Sequence, residues 1–295
     1  MAAQEIITDT SMGHRQRLFW TKLRRNPSAL GGMFLVFLTL IAAVFGHWLA
    51  PHNPSGMHLT QHLLPPLLAG GTGAHILGTD YLGRDELSRI IVGTGPSITI
   101  SLIAVLISMV IGTTLGLYGG YYGGWLGSVV TFLIDAQMAF PFILLALTLM
   151  AISGPGPGKL ILALALSGWT NFARVIRGQA MQYREKMFVE SAKAIGASNQ
   201  RIIFRHILVN IATSVIVIGT MNIAINILLE AGLTFIGLGL NPSIPSWGSM
   251  LANGRDYIQT AWWLTVFPGV AIMLSVIGFN LLGDWLRDVW DPRSR

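Results

Sequence analysis

The stretch SALGGMFLVFLTLIAAVFGHWLA, residues 28–50, decides the class of fold. Its 23 residues carry no Asp, Glu, Lys or Arg, and roughly 20 apolar residues suffice for a helix to cross a hydrocarbon core. A cleavable leader would have a shorter apolar core and a small-residue cleavage site. This run ends instead in His47-Trp48-Leu49-Ala50-Pro51, which suits a retained span.

Five further apolar runs lie downstream, at about 96–118, 127–152, 160–175, 207–229 and 264–286. The fourth is the shortest and holds Trp169 and Asn171; the sixth holds Pro268, which a spanning helix tolerates when neighbours satisfy the freed carbonyl. Trp48, Trp125, Trp262, Trp263 and Trp285 fall near the ends of runs, where aromatic anchors are expected. Charged residues are 11% of the chain and hydrophobic ones 52%, against roughly 25% charged in a soluble domain. The expected fold is therefore an all-α polytopic membrane protein with about six transmembrane helices. Cysteine is absent, which excludes disulfides, thiolate metal sites and cysteine nucleophiles.

Basic residues set the orientation. With the N-terminus inside, Arg15, Arg17, Lys22, Arg24 and Arg25 fall in the first tail. Arg174, Arg177, Arg184, Lys186, Lys193, Arg201 and Arg205 fall between spans four and five, and Arg287, Arg293 and Arg295 at the end. Only Arg84, Arg89, Lys159 and Arg255 remain for the other face. This split places both termini in the cytoplasm and accounts for the net charge of +6 without a nucleic-acid partner. The expected organisation is a cytoplasmic tail over 1–27 and a transmembrane domain over 28–295. The latter includes an outer segment at 51–90, a cytoplasmic loop at 183–206 and an outer loop at 233–263, re-entrant or surface-lying.

The cytoplasmic loop carries the sharpest local signal. Phe188-Val189-Glu190-Ser191-Ala192-Lys193-Ala194-Ile195 reads as a short helix stopped at Gly196, where glycine accepts the left-handed C-cap. After Ala197, Ser198 can N-cap a second helix running into the fifth span. Small residues at 191, 192, 194 and 197 would let another surface approach closely. A rigid knob outside the bilayer and a solvated amphipathic loop both fit this pattern.

Glu190-Ser191-Ala192, with Gly196 and then Ile207-Leu208, resembles the EAA loop of ABC-importer permeases, and the resemblance extends from about residue 22 to 292. It is closest to the second permease subunit of the dipeptide/oligopeptide/nickel group. The matching strings are His75-Ile76-Leu77-Gly78-Thr79-Asp80-Tyr81-Leu82-Gly83-Arg84-Asp85, then Gly119 through Trp125, Phe235 through Gly239 with Pro245-Ser246-Trp247-Gly248, and Phe279 through Asp284 with Asp291-Pro292. The chain departs from the family pattern at Ser191, Val209, Gly95 and Phe132. The resemblance implies the transmembrane domain of a type I ABC importer in the bacterial inner membrane. It implies as partners a second homologous permease subunit, two ATPase subunits and an extracytoplasmic solute-binding protein. Glu190, Ser191, Ala192, Gly196 and Ala197 would form the ATPase-coupling loop. ATP and Mg would be bound by the ATPases, leaving this chain no cofactor, no catalytic residue and the role of a transport subunit. The cargo implied is a di- or oligopeptide or a similar small solute, with nickel or a metal chelate as the alternative. An ATP-independent channel or secondary transporter is the reading from a different class.

Some features stand apart from the loop. Asp135, inside the third run, and Glu230, at the end of the fifth, are candidates for the substrate pathway, because an intramembrane carboxylate is costly; pairing inside the bundle is the structural alternative. Gly112, Gly116, Gly120 and Gly124 repeat every fourth residue, a stripe for close helix packing. Five histidines crowd 47–75, with His58 and His62 one helical turn apart but no carboxylate beside that pair, so no metal site is assigned. Gly154 to Lys159 only superficially resembles a phosphate loop: Leu160 replaces the Ser/Thr and the prolines remove backbone donors. No HExxH or GxSxG motif occurs, so membrane hydrolysis has no visible machinery.

Overall fold

Asn26 and Pro27 start the first helix: the Asn26 side chain accepts from Ala29 N, and Pro27 occupies the first turn, where no backbone donor is needed. The computed structural model describes residues 26–71 and 73–290. Arg15, Arg17, Lys22, Arg24, Arg25, Arg293, Arg295 and the Asp291-Pro292 pair lie outside the described residues. Within these limits every regular element is helical: α1 (Pro27–Leu49), α2 (Glu86–Tyr122), α3 (Gly124–Ala139), α4 (Phe142–Ser153), α5 (Pro157–Arg184), α6 (Met187–Ala194), α7 (Asn199–Phe235), α8 (Trp247–Gly254) and α9 (Trp263–Trp290). Five of them, α1, α2, α5, α7 and α9, are each long and apolar enough to cross a membrane; α3 with α4 makes the sixth if the bent pair counts as one span.

Two expected spans change shape. The run at 127–152 is not one helix: α3 and α4 meet at 86° across Phe140-Pro141. The proline ring bars Phe140 from the helical region, and Phe140 is extended with ψ 126°. The second span begins at Glu86 rather than near 96, so the charged end of the expected 51–90 segment is helical. Asp85 makes this possible by capping Ser88 N at 2.8 Å.

Glycine brings the helices together. Along α2, a Cβ on Gly116 would lie 2.8 Å from Ala173 O, and one on Gly120 would lie 2.5 Å from Arg177 O and 2.7 Å from Ala180 Cβ. Gly112 meets α5 at Trp169 and Phe172 in the same way, so α2 and α5 touch backbone to backbone. Gly124, the last of the stripe, faces open space. Gly32 and Gly278 serve α1 and α9 alike, beside a Thr39–Ser275 hydroxyl contact of 3.1 Å. Polar bonds link α5 to α7: Asn171 Nδ2 donates to Asn222 Oδ1 at 3.2 Å and Gln179 Nε2 to Ser214 Oγ at 2.8 Å.

The tryptophans divide. Trp48 and Trp125 are about four-fifths exposed, as anchors should be, and Trp262 is also exposed. Trp263 and Trp285 are buried: Trp263 donates to Thr79 O at 3.2 Å, and Trp285 packs on Ala29. Both had been expected at the interface. Their place near helix ends is right, but packing partners on the same chain claim the rings. The 233–263 segment carries a buried stretch at 246–250 between exposed ones at 241–244 and 258–260. Its helix α8 opens with a Ser246/Ser249 capping box and buries Trp247, whose Nε1 donates to Ile90 O.

Candidate coupling and pathway sites

The short helix α6 ends where glycine was expected to end it. Gly196 has φ +80°, Gly196 N donates to Lys193 O at 2.9 Å, and Ala197 N donates to Ala192 O at 3.0 Å. These paired bonds form a Schellman motif, which satisfies the last carbonyls and turns the chain sharply. Ser198 then accepts from Arg201 N at 3.4 Å and caps α7. The first turns of α7 widen into a π-helix over Ile202–Ile207, a local underwinding often found at functional sites.

One face of α6 belongs to the bundle. Val189 and Ala192 are buried against Ile202, Ile203 and Ile207 of the π turns and against Ile176 and Ala180 of α5. Tyr121, near the end of α2, donates its hydroxyl to Asn199 Oδ1 at 2.8 Å and lies under the Lys193 ammonium, 5.5 Å from the ring centroid. The other face is open. Glu190, Ser191 and Gly196 are exposed, Ala197 is half-buried, and Met187 and Ile195 show 83% and 86% of their surface. Apolar side chains so exposed on a knob clamped to three helices give a contact surface with a rigid back. Of the expected coupling residues, Ala192 is buried and Ala197 packs partly against the same cluster. Met187 and Ile195, which sequence reading passed over, are the most outward; their offset from the buried Val189 and Ala192 is the helical signal that marks them.

The two intramembrane carboxylates separate. Glu230 is fully buried inside this chain, where Thr234 Oγ1 donates to its Oε1 at 3.0 Å. Helix α8 closes over it, with Gly248 against Ala231 and Thr234. Asp135 is exposed on α3, one turn before the Phe140-Pro141 bend. Across the gap, the Arg174 guanidinium of α5 touches Met138 Sδ. The structure therefore does not bring Asp135 and Glu230 to one surface. Gly95 faces the backbone of α1, and a Cβ there would lie 3.2 Å from Ala43 O.

The segment before α2 is the other densely polar region. Asp80 accepts from the backbone N of Leu82 and of Arg84, both at 2.9 Å, and its Oδ2 receives Arg84 Nε at 2.6 Å, with Arg89 Nε at 3.7 Å. Arg84, Arg89 and Asp80 are all buried. Both guanidinium groups are internal to the fold, turned toward the Asp80 carboxylate. Gly78 and Gly83, at φ +82° and +72°, make the turns that fold this stretch back on itself.

Comparison with known proteins follows the same outline. The family described as binding-protein-dependent transport system inner membrane component matches residues 112–295, and the N-terminal TM domain of oligopeptide transport permease C matches residues 16–66. The dipeptide transport system permease protein DppC of Escherichia coli (strain K12) is 42% identical over 94% of this chain and 93% of its own length. The di/tripeptide permease DppC of Pseudomonas aeruginosa (strain UCBPP-PA14) is 40% identical over 94% and 92%. The glutathione permease GsiD of Shigella flexneri serotype 5b (strain 8401) is 40% identical over 94% and 90%. A solved structure of the MetNI methionine ABC transporter, inward facing, superposes with TM-score 0.55 at 18% identity, covering 68% of this chain and 96% of that one. At that identity the likeness concerns the fold.

Proposed function

The chain belongs to the binding-protein-dependent transport inner membrane component family and is an inner-membrane permease subunit of an ATP-binding-cassette importer, and from this we propose that it carries di- or oligopeptides, driven through α6 by a partner ATPase. The relatives named for dipeptides and for glutathione support a peptide-like cargo. The observation that carries the mechanism is the Schellman-ended knob: one face is locked on α2, α5 and α7 and the other is bare, with Met187 and Ile195 outermost.

In this reading α6 lies on the cytoplasmic side and seats in one of two ATPase subunits. Closure of the ATPases on ATP displaces the knob, and the spans move from inward-open to outward-open in an alternating-access cycle. A second permease covers the exposed faces of α3 and α4, including Phe132 and Asp135, and an extracytoplasmic binding protein delivers cargo. ATP and Mg stay with the ATPases; this chain positions and moves.

The test is Gly196→Val in the assembled complex, reconstituted into vesicles. A left-handed residue with a side chain costs about 1–2 kcal/mol, enough to move the knob without preventing insertion. Expected is normal assembly, retained ATP hydrolysis and uptake that no longer follows it. Wild-type uptake by this variant would overturn the assignment of α6. Stimulation of the ATPase by binding protein loaded with a dipeptide, glutathione or a nickel chelate separates the cargo classes.

A further inference from the structure

The segment between α1 and α2 gathers side chains that the transport cycle does not use. His75 is buried, with Nδ1 2.8 Å from Asp85 Oδ1 and Nε2 3.2 Å from Gln61 Oε1. His52 Nδ1 lies 3.7 Å from the same carboxylate oxygen, and the two imidazole centroids are 4.9 Å apart. One ligand atom from each of His52, His75 and Asp85 thus falls within 4.8 Å of the others. The other oxygen of Asp85 is fixed by Ser88 N at 2.8 Å and Ser88 Oγ at 2.6 Å, which aims Oδ1 at the two rings.

A neutral imidazole has one N–H. In the tautomer that donates Nε2–H to Gln61 Oε1, the Nδ1 lone pair of His75 faces Asp85 Oδ1, so that two acceptors are turned on one point. The neighbouring guanidinium groups do not fill it, since Arg84 and Arg89 face Asp80. We propose that His52, His75 and Asp85 bind a divalent transition-metal ion of the zinc class. Two imidazoles and one carboxylate suit zinc or nickel, whereas calcium and magnesium take oxygen sets. Ligand bonds of about 2.1 Å set tetrahedral ligand atoms about 3.4 Å apart. His75 and Asp85 therefore part by roughly half an ångström, while His52 closes by a few tenths on Asp85 and by up to about 1.4 Å on His75. The fourth position opens on a cavity of about 300 Å³, lined also by His58 and Gln61. Gln61 and Ser88 supply the outer bonds that orient ligands in built metal sites.

The ion has a structural place. His52 follows the end of α1, and Asp85 is the N-cap of α2. A bound ion joins the exit of one span to the entrance of the next, independent of the cargo.

The test uses the purified importer complex, stripped with EDTA and dialysed, without binding protein or ATP. It is titrated with Zn²⁺ by calorimetry and with Co²⁺ by visible absorption. Expected is one ion per copy of this chain, tetrahedral cobalt bands, and protection of residues 51–85 from protease when zinc is present. His52→Ala, at an exposed position, should weaken binding about tenfold or more; Asp85→Asn should do likewise, and His206→Ala at the far end of the bundle should not. Absence of stoichiometric uptake, or equal affinity in His52→Ala and wild type, would overturn the site. A band pattern and affinity equally sensitive to His206→Ala would move the ion elsewhere and overturn it too.

Discussion

The two ends of α2 treat polar groups in opposite ways. At its start, Asp80, Arg84 and Arg89 are buried, and both guanidinium groups turn toward the one carboxylate, so the charge there is held inside the fold. At its end, roughly 55 Å away by the rise of 37 helical residues, the chain holds α6 by its inner face and leaves charge and apolar surface outward. Buried charge without its partner is among the costliest defects a fold can carry, whereas exposed groups cost little to change. The first end is thus built for stability, and the second is built to be touched.

The sharpest way to break this contrast is at the first end. Asp80→Ala leaves two buried guanidinium groups facing each other, with an expected loss of about 3–5 kcal/mol; it should appear as poor yield and a lowered Tm in detergent. Next comes the seam between the ends: Gly116→Val drives a side chain into the α5 backbone, and overpacking of this kind costs roughly 1–3 kcal/mol, read as a smaller drop in Tm. At the second end, Tyr121→Phe removes the bond to Asn199 at a cost of about 1 kcal/mol, and proteolysis around 195–199 should quicken. Smallest in stability is Met187→Asp, expected within about 0.5 kcal/mol of wild type, yet it should halve or abolish uptake coupled to ATP. If Met187→Asp lowers Tm as far as Asp80→Ala, the contrast is wrong.

Much of this was legible in residue order. Apolar runs gave the spans because lipid demands them, and Gly196 marked the end of α6 because few other residues accept φ +80°. The glycine stripe announced close packing, and α5 proved to be its partner. Direction was harder to read. Hydropathy stays high through Phe140-Pro141, so a bend of 86° leaves no trace in it; the pre-proline position was the available clue. Glu86 and Arg89 looked like loop residues because charge reads as solvent, and only folding shows both buried, with Arg89 turned toward Asp80. Trp285 and Trp263 stand where anchors stand, and sequence position cannot say which side of a ring meets protein. The convergence of His52, His75 and Asp85 was hidden in the same way, since two glycine turns bring distant positions together.

The absence of side chains along Gly112, Gly116 and Gly120 has a mechanical corollary. Two helices in backbone contact have no rotamers between them to take up slip, so α2 and α5 tilt as a single beam. With a beam about 55 Å long, a swing of about 5° at one end carries the other end through about 5 Å, a displacement on the scale of an amino-acid residue.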